Sequence, residues 1–139
     1  MDKPTPFAKF TRANINNLGQ FDFTKEYYIP GSTEVFQGQL IVLVNENTQS
    51  NAEFTAMALK AGNNTTIIGS TTAGSDGNVS EIVLPGGLKT KISGIGVYYP
   101  DGTETQRIGI IPDIEVRPTI DGIKNGKDEL LEKAIELIK

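Results

Sequence analysis

Apolar and polar positions follow several different rhythms along this chain, and the most regular begins at residue 39. Residues 39–45, QLIVLVN, form a continuous β-branched and leucine run closed by Gly38 and Asn45. Such a run predicts a fully buried strand of the parallel kind. The polar turn that follows ends in Ser50-Asn51-Ala52-Glu53, a Ser-x-x-Glu capping box, and opens a helix over residues 50–61. Phe54, Met57, Ala58 and Leu59 supply its apolar face, and Gly62 is placed to stop it. TTIIGS, residues 65–70, is the next short buried strand. Strand, helix and strand at this spacing predict a right-handed βαβ crossover.

The second half changes rhythm. SEIVLPGGLKTKIS is two short runs around Pro85-Gly86-Gly87, which predicts a hairpin, and GIGVYYPDGTETQRIGII repeats the idea around Pro100-Asp101-Gly102. PDIEVRP is an extended segment pinned between Pro112 and Pro118. The chain closes on GKDELLEKAIELIK, an amphipathic helix with Leu130, Leu131, Ala134, Ile135 and Ile138 on one face and Asp128 as its N-cap. The fold class is therefore α/β: a parallel βαβ core extended by hairpins and a C-terminal helix.

Residues 1–36 keep neither period, and Pro4, Pro6 and Pro30 favour extended or turn backbone. The expectation is an irregular extended arm continuing from an upstream segment, with Phe7, Phe10, Phe21 and Tyr28 packed on the core. Residues 37–139 would then be the functional domain proper.

Composition narrows the chemistry. The chain has 139 residues and a formal net charge of −4, with no basic run, which speaks against nucleic acid as a partner. Cysteine and histidine are both absent. No thiolate metal site, cysteine nucleophile or Ser-His-Asp triad can be completed within these residues, and no metal or cofactor is expected. The longest purely apolar run, residues 40–44, is far too short to span a bilayer.

Three stretches could carry chemistry. By local physics Ser50 is a helix cap. Its context, a buried strand, a short turn and a helix, is also the geometry that exposes a nucleophile at the carboxyl edge of a sheet. The unpaired N–H groups of a helix N-terminus can hold a developing oxyanion. GSTTAGSDGN, residues 69–78, lacks the Gly-Lys-Ser/Thr ending of a phosphate loop, and reads either as a mobile polar loop leaving a strand or as a loop bordering the same edge as Ser50. TQRIGIIPDIEV, residues 105–116, reads as structural, with Asp113 a turn residue after a proline.

Four segments together resemble one family. LIVLVNENTQSNAEFTAMALKAG, TIIGSTTAGSDG, QRIGIIPDIEV and NGKDELLEKAIELI stand in the order found in the C-terminal half of the C-terminal-processing, or tail-specific, serine peptidases and their tricorn-like branch. The resemblance implies a crotonase/ClpP-like stack of ββα units and a peptide or protein substrate. It also implies an exported, periplasmic or envelope location. Ser50 would be the acylated nucleophile and the backbone N–H of Asn51 an oxyanion donor.

The departures from the family are specific. The loop position of the family's basic lysine is Ser75, and the position of the tricorn-like branch's assisting glutamate is Gln106. The histidine base of that branch lies upstream of the nucleophile's strand, and this chain has none. The expectation is a serine endopeptidase represented by the C-terminal part of its catalytic domain and inactive alone, its base carried by a preceding segment. A non-catalytic peptide-binding or scaffold member of the same fold is the alternative.

Overall fold

A computed structural model describes residues 1–138. It is a mixed α/β fold with its strands in three sheets, built in the order β1 Thr5–Ala13, β2 Phe21–Phe23, β3 Tyr27–Ile29, β4 Leu40–Val44, α1 Asn51–Lys60, β5 Thr65–Gly69, β6 Val79–Val83, β7 Lys89–Ser93, β8 Val97–Tyr98, β9 Ile114–Glu115, α2 Ile120–Lys124 and α3 Glu129–Leu137.

The expected βαβ unit is present. β4 pairs parallel with β5 in continuous register from Leu40↔Thr65 to Val44↔Gly69, with α1 as the crossover. PDIEVRP adds a third parallel strand, β9, at Ile68↔Ile114 and Gly69↔Glu115. Side chains alternate across this sheet. Val44 and Ile67 join Ala56 and Met57 of α1 in the main core. Leu43 and Ile68 point to the other face. Ile68 is fully buried there but Leu43 stays 41% exposed, so β4 is not the fully buried strand its sequence predicts. α3 lies against β4 and β5.

The N-terminal residues correct the sequence reading. Residues 5–13 are a nine-residue strand, not an irregular arm. β1 is antiparallel to β2, β3 and β8, and thereby ties the N-terminal residues to the segment at residues 97–98. A register shift between Pro6 and Ala8 explains why no period shows. The irregularity turns consecutive residues, Phe7 and Ala8, into the core, and so breaks the alternation by which a strand is recognised. Phe7 stacks edge-on against Phe54 of α1 at 5.0 Å, and Phe10 lies over the same ring at 5.8 Å. Phe21 and Tyr28 do not pack as expected and remain exposed.

The first hairpin forms as β6 and β7. At the second, the Pro100-Asp101-Gly102 turn closes, with the Gly102 N–H on the Tyr99 carbonyl at 2.9 Å, but only a single bridge, Tyr98↔Glu104, follows it. β8 takes β1 as its partner instead, and residues 105–113 leave as a loop. α3 starts at the expected cap, where Asp128 accepts the Leu131 N–H at 3.0 Å. Of its apolar face only Ala134 is buried; Leu131, Ile135 and Ile138 are exposed. No helix among the described residues is long and apolar enough to cross a membrane.

Candidate active site

Ser50 joins the turn after β4 to α1 with φ 55° and ψ −125°. A side chain at positive φ costs on the order of 1–3 kcal/mol and persists only where its surroundings over-determine it. Here they do. The Ser50 N–H donates to the Ser75 carbonyl at 2.9 Å and to Glu53 Oε2 at 3.1 Å, while the Ser50 carbonyl accepts the Phe54 N–H at 3.0 Å. Thus the capping box predicted from Ser-x-x-Glu exists. Its carboxylate half is firm. Its hydroxyl half is loose: Oγ lies toward the Glu53 N–H but makes no cap hydrogen bond of normal geometry. Among the described residues no acceptor holds the hydroxyl proton, and Ser50 is exposed. The next residue begins the helix, and the Asn51 N–H has no acceptor among the described residues, as befits the first turn of a helix.

Glu53 is the post around which this edge is built. It is 1% exposed, and four donors converge on it: the N–H groups of Ser50, Gly74 (2.8 Å) and Ser75 (2.9 Å), and the Thr72 hydroxyl. Thr72 Oγ1 in turn accepts the Ile110 N–H at 2.7 Å. The loop of residues 69–78 is therefore drawn against the Ser50 turn, the second of the two readings its sequence allows. The Ala73 N–H on the Thr48 carbonyl at 2.9 Å adds to this. Two glycines permit the path. At Gly69, φ 137°, a Cβ would sit 1.7 Å from the Val44 carbonyl oxygen. At Gly74, φ 64°, it would press on the backbone of Arg107 and Gly109 at 3.0 Å.

The other sequence candidates fall as follows. Ser75 touches Ser50 through its backbone carbonyl, and its side chain is exposed. Gln106 is a brace: its Nε2 donates to the carbonyls of Asp76 at 2.7 Å and Ile95 at 3.0 Å, and its Oε1 accepts the Val97 N–H at 3.3 Å. Asp113 clamps the sheet, accepting the Ile67 N–H at 2.8 Å and Lys60 Nζ at 3.0 Å. Burial pushes its carboxyl up, but those two donors outweigh it and leave its pKa below the ordinary aspartate value.

Sequence reasoning passed over Asp76. It is 8% exposed; Oδ1 accepts its neighbour Gly77's N–H at 2.7 Å, and Oδ2 is buried with no partner among the described residues. Burial raises its pKa, the Gly77 N–H opposes that, and the charge of Glu53 adds to the rise. Its only signal in the sequence is an acidic residue in an otherwise neutral Gly-Ser loop. A cavity of about 290 Å³ opens beside Ser50, with Ser50, Asn51 and Asp76 on its polar side and Phe10, Tyr27 and Phe54 on its apolar side. A wider hollow of about 790 Å³ between β1, β2 and β3 includes none of the predicted site residues.

A strained, exposed serine at a strand-to-helix turn, beside a free helix N–H and a half-apolar cavity, can attack a carbonyl and shelter the resulting oxyanion. Residues 7–116 match peptidase family S41, and the chain belongs to this family of serine proteases. A Chlamydia trachomatis (serovar D) protein is 32% identical over an alignment of 103 residues that covers 71% of this chain and 17% of that protein. The crystal structure of a Parabacteroides merdae protein superposes with a TM-score of 0.86 at 25% identity, covering 99% of this chain and 44% of the other. The photosystem II D1 C-terminal processing protease shares the fold, with a TM-score of 0.55 at 24% identity over 86% of this chain and 29% of its own. The chain thus spans less than half the length of each of these relatives.

Proposed function

We propose that Ser50 is the nucleophile of a serine-type endopeptidase site, and that the general base acting on it lies outside these 139 residues. The observation that carries this reading is the Ser50 turn itself. Its φ of 55° is held by bonds to Glu53 and Ser75 while its hydroxyl stays exposed. A cap needs neither the strain nor the free hydroxyl. Ser50 Oγ would attack the scissile carbonyl and lose its proton to the base. The Asn51 N–H would hold the oxyanion, the amine would leave, and water would release the acyl group. Ser75 and Gln106 are neutral where the resembled family carries ionisable groups, so within this chain they support and do not transfer protons. Residues 37–139 would form the C-terminal part of the catalytic domain, in a crotonase/ClpP-like arrangement, with the preceding segment supplying the base. Peptides or proteins would be its substrates, and an extracytoplasmic location follows from the same resemblance.

The second reading is a peptide-binding member that kept the fold without the chemistry, and Gln106 in place of a carboxylate favours it. Intact-mass analysis after treatment with a fluorophosphonate separates the two. The expected result is little or no adduct on these 139 residues and a single adduct on the longer parent chain, abolished by Ser50→Ala. A parent that stays unlabelled overturns the peptidase reading.

A further inference from the structure

We propose that the cavity beside Ser50 selects a cationic residue of a peptide, and that Asp76 recognises its charge. This rests on the site binding peptides, whether or not it cleaves them. Asp76 belongs to the cavity wall, is 92% removed from solvent by its 8% exposure, and carries a carboxylate oxygen with no donor. A buried unpaired carboxylate oxygen is costly, and a fold keeps one only against a compensating use. The nearby carboxylate of Glu53 shows the contrast, since three donors of the loop converge on it, the Thr72 hydroxyl and the N–H groups of Gly74 and Ser75.

The rest of the wall fits the same guest. Phe10 and Tyr27 meet edge to face at 4.7 Å, and Phe54 stacks on Phe10. Together they give an apolar, π-rich side along which the methylene stem of a lysine or arginine can lie, with the charged head carried past it to the carboxylate. Oδ2 is itself buried, so a guest would reach it by a partial turn about the soft Cβ–Cγ bond of Asp76, which loosens the bond from the Gly77 N–H. The competing cation is Arg12 of β1, which also lines the cavity. It is exposed and makes no ion pair among the described residues, so the carboxylate is not already taken.

The test is a nuclear magnetic resonance titration of this chain with N-acetyl-lysine methylamide and with its uncharged norleucine counterpart. The lysine probe should bind about ten-fold tighter, a charge-assisted contact against none, and should shift the Asn51 and Gly77 amide signals. In Asp76→Asn, which keeps an acceptor for the Gly77 N–H, that preference should vanish while norleucine affinity stays as it was. Equal affinity for the two probes in the unmodified chain, or binding of neither, overturns the proposal. So does a preference that survives Asp76→Asn, or an equal loss for both probes. The result is independent of fluorophosphonate labelling. A lysine preference without labelling of the parent leaves the binding site and removes the peptidase reading; labelling without the preference does the reverse.

Discussion

Glu53 Oε2 accepts the backbone N–H of Ser50 at 3.1 Å, and through that bond a buried carboxylate in the first turn of α1 sets the backbone of the residue before the helix. The same carboxylate holds the Gly74 and Ser75 N–H groups, so the turn and the loop beside it are one unit.

Glu53→Gln should therefore cost more than a surface charge does. A glutamine amide nitrogen would face N–H groups that need an acceptor, in a place that is 1% exposed. Leaving one or two such donors unsatisfied costs about 2–4 kcal/mol. Urea unfolding should show a lower midpoint with an unchanged slope. An unchanged midpoint would mean that the loop is held by something other than this residue.

Ser50→Gly should stabilise the fold. Glycine takes φ 55° and ψ −125° without penalty, and the hydroxyl it removes makes only a loose contact with the Glu53 N–H. Relief of strain, less the greater freedom of glycine in the unfolded chain, leaves a gain of about 1 kcal/mol. Ser50→Ala, which keeps the strain, should not share it. Thermal unfolding of the two variants side by side checks this. A glycine variant no more stable than the alanine one would show that the turn is relaxed and that Ser50 is an ordinary cap.

Asp76 and Asp113 should give opposite pH signatures. The Asp113 pKa is lowered, so its stabilising contribution is complete above the unfolded value of about 3.9 and is lost as pH falls through the folded value. The Asp76 pKa is raised, so stability is lost as pH rises from the unfolded value through the folded one. Asp76→Asn should accordingly be more stable than the unmodified chain at pH 7, with the difference closing below about pH 4. Asp113→Asn should be less stable at pH 7, with its difference closing in the same direction. Denaturation midpoints from pH 3 to 8 decide it. Destabilisation by Asp76→Asn at pH 7 would mean that the carboxylate has a partner after all.

What the sequence determined by itself is what rests on neighbours along the chain. The apolar run at residues 40–44, the Ser50–Glu53 box, the Gly86-Gly87 turn and the Asp128 cap each act within a few residues. β4, α1, the β6–β7 hairpin and α3 therefore appear where the pattern puts them. The order of four motifs was enough to point to the family. The tertiary structure decided the rest. β1 was illegible because its register shift breaks the alternation and its partners lie as far away as β8. The sequence leaves Ser50 open as a cap or a nucleophile, and its positive φ and loosely held hydroxyl are visible only in the folded chain. Gln106 and Asp76 took their places only when loops 30 residues apart met, with Gln106 Nε2 on the Asp76 carbonyl. Burial and pairing across such separations depend on which surfaces fold against each other, and no local period encodes that.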